Sequence, residues 1–326
     1  MSRYLVTGAT GFIGHALCAR LTAEGHHVRA LARRAVDGPW TEVYCSDLAV
    51  DTLPEGLTAG IDGIFHLAGI AHAQDQSAVP DSLYRRVNLE ATQALLNAAV
   101  AARVARFVYF SSIKAAADPG EECVDETWDQ PPEDAYGRTK REAEERVVAC
   151  GVSSAMHVCI LRPTLVYGSG VKGNLQRVLE AARVGRCPPL PEFGNRRSMI
   201  GRDDLLDAAL LAAEDPRANG RTYIVADGVA YSTRMLFEIA CRAFGHDQPR
   251  WGIPLWLLRL GALAGDVLGR MSRRPMPLSS AVLSRIGGSA CYRADRLRSE
   301  LGWRPQQRLE GVVDAMVKAY GPHNHE

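Results

Sequence analysis

Among the 326 residues there is no Cys-x-x-Cys pair and no histidine cluster at ligand spacing, so no metal site is expected. An excess of charge of either sign is lacking as well. The formal net charge is +1, which gives no overall electrostatic reason to expect a nucleic acid or an anionic membrane as partner, although small anions can be bound locally. The N-terminus has no charged region leading into a long apolar stretch and a cleavage site, and nothing there points to secretion. No internal repeat is visible. Ile253 to Leu268 is the most apolar stretch after the strands, but Arg259 and Asp266 interrupt it and it falls short of the roughly 20 residues that cross a bilayer. No transmembrane segment is therefore expected. The stretch reads as a core or interface helix, with a lid over the substrate and a membrane association left open. The cysteines, Cys18, Cys45, Cys123, Cys150, Cys159, Cys187, Cys241 and Cys291, are scattered and read as reduced, mostly buried thiols of a cytoplasmic protein.

What is present begins at the first residues. Tyr4 to Thr7 reads as a buried strand, and Gly8-Ala9-Thr10-Gly11-Phe12-Ile13-Gly14 leads at once into the helical spacing of Ile13, Ala16, Leu17 and Leu21. A strand, a glycine turn and a helix make a diphosphate site: glycines let the backbone approach the ligand, and unpaired helix N–H groups face the anion. A second strand, Val28 to Ala32, comes where a dinucleotide-binding unit reads the adenosine ribose. An acid at its end would bind the ribose hydroxyls and repel a 2′-phosphate. Instead Ala32 is followed by Arg33 and Arg34, which favours NADP over NAD, with NAD still possible.

Further strands read at Val43 to Cys45, at Ile61 to Gly69, at Phe107 to Phe110 and at Val158 to Arg162. Asp47-Leu48 is placed to meet the adenine, and Leu67, Ala68 and Gly69 let a flat cofactor pass close to the backbone. A helical stretch, Leu83 to Ala102, carries Asn88 among apolar neighbours; it is read as a structural hydrogen bonder or a group ordering a water near the active site. Alternating strands and helices imply an α/β fold, a doubly wound parallel sheet with ligands beyond its carboxyl edge, where Ser111 and Ser112 fall. Thr164 to Gly170 reads as an exit loop, Leu175 to Val184 and Asp203 to Ala213 as helices, and Thr222 to Val225 as a strand returning to the large sheet. Leu301 to Pro305 is a turn around a buried-looking Trp303, and Gly321-Pro322 ends the last helical run. Expected boundaries are 1–165 for a dinucleotide-binding Rossmann domain, joined by a strand near 221–226, and 166–220 with 227–320 for a smaller, partly interleaved substrate domain.

Tyr136 and Lys140 lie four residues apart near a helix start and share a face. A free phenol has a pKa near 10, and lowering it by about 3 units takes roughly 4 kcal/mol, for which a neighbouring ammonium and the positive nicotinamide of an oxidised cofactor have the right sign. Ser112 could hold the reacting oxygen beside Tyr136.

Taken together, Thr7 to Gly14, Asp47-Leu48, His66 to Gly69, Ser112, Tyr136 to Lys140, Leu161 to Pro163, Val166 to Gly168, Asp203-Asp204 and Leu301 to Pro305 resemble the extended short-chain dehydrogenases/reductases, the NAD-dependent epimerase/dehydratase family. The resemblance implies catalytic Ser112, Tyr136 and Lys140, a nucleotide-sugar substrate, and a homodimer. It implies cofactor contacts from Gly8, Thr10, Gly11, Phe12, Ile13, Gly14, Asn88, Lys140, Pro163 and Thr164. It implies substrate contacts from Asn174, Leu175 and Arg197. Dehydratases of the family carry Asp-Glu where this chain has Ile113-Lys114, so elimination is not expected. The stretch Ser111 to Lys114 is similar to the branch holding 4-ketoreductases of UDP-linked sugars alongside UDP-glucose 4-epimerases. Arg33 and Arg34 favour the reductase, with the epimerase as the alternative and a non-catalytic cofactor sensor as a third reading.

Overall fold

The structure, a computed structural model, describes residues 1–70, 79–247, 251–272, 276 and 278–318. Its centre is a seven-stranded, wholly parallel sheet. The strands are β1 (Arg3–Thr7), β2 (His27–Ala32), β3 (Glu42–Cys45), β4 (Gly63–His66), β5 (Arg106–Phe110), β7 (His157–Pro163) and β10 (Arg221–Val225), in the order β3-β2-β1-β4-β5-β7-β10. The remaining strand numbers belong to short strands elsewhere. Direction reverses beside β1, and a ligand crevice opens there, at the carboxyl ends of the strands. Val, Ile, Leu and Phe fill the strand interiors because both faces of the sheet are covered. One face packs on α1 (Phe12–Ala23) and α6 (Arg202–Glu214), the other on α3 (Ala91–Ala101) and α4 (Ala135–Ser153).

A short α2 (Asp81–Tyr84) and a π-helical turn, Arg85–Glu90, precede α3. The sequence reads this span as one helix from Leu83. The wide turn falls at Asn88, whose buried amide bonds the backbone of Ile70 in both directions.

Beyond the large sheet, β8 (Leu165–Tyr167), β9 (Arg197–Gly201) and β11 (Ala230–Tyr231) form a three-stranded sheet, so the expected exit loop contains a strand. Around it lie α5 (Asn174–Arg183), α7 (Thr233–Ala243) and α11 (Leu309–Lys318), sharing a third apolar core. A hairpin of α8 (Leu255–Ser272) and α9 (Ser280–Gly287) follows, then α10 (Asp295–Leu301). Trp303 is buried beside Leu297 and Leu301, as expected. The helix end expected at Gly321-Pro322 lies outside the described residues.

The cysteines correct the sequence reading. β6 (Cys123–Val124) pairs with β12 (Cys291–Tyr292), and Cys123 is disulfide-bonded to Cys291 across that pair. A second disulfide joins Cys187 to Cys241. The two cysteines of each pair are 168 and 54 residues apart in the chain, too far for spacing to reveal the partners. Cys18 and Cys159 are the buried free thiols, each pushed up to about 12 by burial.

The apolar stretch also departs from the core-helix reading. Helix α8 buries only Ala262 and Gly265 and exposes most of its large side chains. Among the described residues no helix is long and apolar enough to cross a membrane.

Candidate active site

The glycine turn is held by backbone proximity. Gly8 has φ +69°, and a Cβ there would sit 2.8 Å from the Ala68 amide nitrogen; one at Gly14 would sit 2.2 Å from the Gly8 carbonyl oxygen. Gly11 caps α1 without a side-chain hydrogen bond, leaving the first-turn N–H groups of Phe12 and Ile13 open to an anion. Thr10 and Gly11 lie exposed on the rim, and the Arg202 guanidinium sits 5.4 Å from the Phe12 ring. At the end of β2, Ala32 is buried while Arg33 and Arg34 project into solvent. Asp47 folds its own turn by accepting from the Ala49 amide, and Leu48 packs on the core beneath. A cradle with no room for side chains, facing an uncapped helix end, fits a dinucleotide diphosphate.

Behind this cradle runs a buried hydrogen-bond chain. Thr92 donates its hydroxyl proton to the Asn88 carbonyl, so it must accept from His66 Nε2–H, 2.8 Å away. His66 Nδ1 then accepts from the Thr7 hydroxyl at 2.6 Å, and Thr7 Oγ1 accepts from the Ala68 amide. Burial and the nearby Lys140 charge push the His66 pKa down to about 3, so the ring is neutral and its tautomer is fixed by its partners. Strand ends β1 and β4 are thereby pinned to the helix behind them. The sequence reading passed over His66, Thr7 and Thr92 as hydrogen-bonding groups, although each is a polar residue amid an apolar run.

Ser112, two residues beyond β5, caps a 3₁₀ turn, Ile113–Ala115, accepting from the Lys114 amide. Helix α4 starts from Asp134, whose carboxylate accepts from the Gly137 amide at 2.6 Å. Its first turn lies directly on the Ser112 turn, which brings the Tyr136 phenol against the Ser112 hydroxyl. Burial raises the Tyr136 pKa above its ordinary value, the Ser112 hydrogen bond opposes this, and Asp134 and Tyr84 add to the rise. Lys140, one turn on, is buried and donates to the Phe110 carbonyl at 2.7 Å, with its ammonium 4.3 Å from the Tyr109 ring centroid. Burial pushes its pKa down to about 7, with Glu144 pulling the other way. Glu144 itself holds Arg162 in a buried two-pronged ion pair. Without cofactor, burial thus outweighs the Ser112 hydrogen bond at the Tyr136 phenol.

Tyr136 faces a cavity of about 490 Å³ bordered by Tyr84, Lys114, Ala117, Asp118 and Pro132. Of the expected substrate residues, Asn174 is exposed at the start of α5. Leu175 is buried in the third core, which leaves only its backbone for a ligand. Arg197 donates to the carbonyls of Arg285 and Ile286, while its Nε is buried with no hydrogen-bond partner. Pro163 ends β7, and Thr164 donates its hydroxyl to the Val225 carbonyl. Gly69 is open, with Asn88 and Lys140 beside it. Among the described residues no group of three or more His, Cys, Asp or Glu is placed to hold a metal.

A parallel seven-stranded sheet, a glycine turn after its first strand, and a Ser, a Tyr and a Lys beyond its carboxyl edge form the arrangement of a short-chain dehydrogenase/reductase. The model of the NAD dependent epimerase/dehydratase family matches residues 4–226. The chain belongs to that family and is an enzyme of the NAD-dependent type. It is 34% identical over 333 residues to a UDP-glucose 4-epimerase of Vibrio cholerae, covering 97% of this chain and 94% of that one. It is 27% identical to a 4-hydroxy-2-methyl-3-oxo-4-farnesyl-3,4-dihydroquinoline-1-oxide ketoreductase of Stigmatella aurantiaca, covering 98% and 97%. The fold is similar to that of MoeE5 in complex with UDP-glucose and NAD, with a TM-score of 0.77, 24% identity and 98% of each chain covered.

Proposed function

We propose that the protein acts at C4 of a nucleotide sugar, a UDP-linked hexose or 6-deoxy-N-acetylhexosamine, as a 4-ketoreductase using NADPH. The observation that carries this reading is the end of β2, where the buried Ala32 is followed by the exposed Arg33 and Arg34 and no acid stands to repel a 2′-phosphate. A net reductase exchanges its cofactor at every turnover and draws on reduced NADPH, whereas a 4-epimerase returns the hydride to the same sugar and gains nothing from NADPH.

When bound, the dinucleotide supplies a hydride to the sugar carbon. Its diphosphate would rest on Gly8, Gly11 and Gly14 and on the amides of Phe12 and Ile13, with Asp47 and Leu48 bordering the adenine. Leu67, Ala68 and Gly69, backed by Asn88, would border the middle of the cofactor, and Pro163 and Thr164 its far end. Arg33 and Arg34 would bind a 2′-phosphate through charge-assisted bonds, which is the basis for preferring NADP over NAD. Ser112 donates a hydrogen bond to the ketone oxygen, and that bond strengthens as negative charge grows there. Tyr136 gives its proton to the same oxygen. Lys140, buried beside Gly69, would bond the ribose, and Tyr136, which faces the cavity, would regain its proton from solvent between turnovers. Arg197, whose buried Nε lacks a partner, meets the substrate diphosphate near Asn174 and the Leu175 backbone.

A 4-epimerase is the second reading, favoured by the name of the 34% identical Vibrio cholerae relative. The experiment that separates the two is incubation with a 4-keto-6-deoxy UDP-sugar plus NADPH, and with UDP-glucose or UDP-N-acetylglucosamine without added cofactor. Stoichiometric loss of NADPH absorbance supports the reductase; interconversion of the sugars without cofactor consumption replaces it with the epimerase. The division into a cofactor part, 1–165 with 221–226, and a substrate part, 166–220 with 227–320, belongs to the same proposal. A homodimer belongs to it too and is checked by sedimentation. So does a cytoplasmic location, and two disulfides weigh against that part, because such bonds persist in oxidising compartments.

A further inference from the structure

Helix α8 is built inside out for a helix on a protein surface. Two small residues turn inward: Ala262 and Gly265 are buried, and a Cβ at Gly265 would lie 1.8 Å from the Leu278 carbonyl oxygen. Its large residues turn outward. Trp256, Leu260, Leu263, Val267 and Met271 recur at intervals of three and four and are all exposed, flanked by the exposed Leu257, Ala264 and Leu268. Trp251, just before the helix, is exposed as well, so both exposed indoles and six of the other large exposed side chains gather within residues 251–271. A continuous apolar face of this kind marks an interaction surface rather than scattered exposure.

Charge indicates what covers it. Residues 251–286 contain five arginines, Arg259, Arg270, Arg273, Arg274 and Arg285, against a single acid, in a chain whose formal net charge is only +1. The acid, Asp266, is engaged in accepting from the Ser280 amide at the start of α9. Arg259 and Arg270 are exposed along one edge of the apolar face. A second copy docking antiparallel through this face about a two-fold axis would bring one positive rim onto another. An anionic surface meets no such cost. The combination of leucines, tryptophans and arginine edges on an 18-residue helix is that of a segment lying in the plane of a bilayer surface.

We propose that α8 seats the protein on the surface of a membrane rich in anionic phospholipid, its apolar face among the upper acyl chains and its arginines among the headgroups. The overall charge of the chain conceals this because the excess is local. The seat lies one helix from the candidate substrate site, since α9 supplies the carbonyls that hold Arg197.

The test is co-sedimentation of the full chain with vesicles of phosphatidylcholine and phosphatidylglycerol in equal parts, and with vesicles of phosphatidylcholine alone. Binding is expected to the first and to be weaker by at least about tenfold on the second. The variant Trp256→Ser with Leu260→Ser and Leu263→Ser should lose binding while NADPH affinity and the circular dichroism spectrum stay unchanged. Arg259→Gln with Arg270→Gln should weaken binding to the anionic vesicles by about 30-fold and reduce its salt dependence. Absence of binding to either vesicle overturns the proposal, as does binding that the triple variant leaves intact. A lipid-free dimer that the triple variant converts to monomers overturns it in favour of a second copy.

Discussion

The α-carbon of Gly137 lies so close to the Lys114 carbonyl that a Cβ there would sit 2.3 Å from the oxygen. This approach seats the first turn of α4 on the Ser112 turn and sets the distance between Ser112 and Tyr136. Gly137→Ala should therefore push the two hydroxyls apart. We expect kcat to fall by about 10²-fold or more, since a misplacement near 1 Å costs that much. NADPH affinity, measured by fluorescence titration, should change little, because the glycine turn lies elsewhere.

Tyr136→Phe removes the proton donor and leaves the ring packed against Tyr84, 6.1 Å away between centroids. Turnover should drop by about 10²–10⁴-fold with cofactor affinity nearly intact. Near-normal turnover would remove Tyr136 from its role.

Arg33→Ala combined with Arg34→Ala tests the cofactor preference. Each charge-assisted bond is worth roughly 1.5–3 kcal/mol, so NADPH binding should weaken by about tenfold or more while NADH binding hardly moves. Equal losses for both dinucleotides would mean that the exposed pair does not read a 2′-phosphate.

His66 makes stability depend on acidity. Its pKa is about 3 in the folded chain against an ordinary 6.5, so the unfolded chain binds more protons between those values. Its contribution is present above the ordinary pKa and is lost as pH falls toward the folded one, by up to about 1.4 kcal/mol for each pH unit. Urea unfolding of the parent and of His66→Gln should diverge in slope as pH drops below about 6.5, with the variant less sensitive. Parallel slopes would show that the ring is protonated in the folded protein.

Thiol titration in denaturant should find four reactive cysteines before reduction and eight after. Replacing Cys123 and Cys291 with serine should lower stability by about 2–4 kcal/mol, read from the same urea curves. Eight thiols without reduction would return the cysteines to the sequence reading.

The elements that sequence made legible are those whose cause is local. Gly8, Gly11 and Gly14 announce a tight turn wherever they stand, and Tyr136 and Lys140 share a face by helical spacing alone. The parallel sheet followed from alternating apolar strands and helices, and even the return of Thr222 to Val225 was readable. What stayed hidden depends on contacts between distant residues. The His66 chain needs Thr7 and Thr92 brought together by folding, and the Glu144–Arg162 pair joins a helix to a strand. The outward turn of α8 was missed for a different reason: apolar periodicity identifies a face but does not say which way it points. Only Leu278, pressed against Gly261 and Gly265, decides that.

Strand β10 pairs with β7 along the outer edge of the large sheet, and its Ile224 amide donates to the Glu126 carboxylate across a gap of 98 residues. During synthesis the nascent chain cannot complete this sheet until Val225 has cleared the ribosome, by which time β8, β9 and α6 have already emerged. The seven-stranded and three-stranded sheets must therefore mature together, and a protein cut anywhere between Pro163 and Arg221 would be left with an open, sticky flank beside β7.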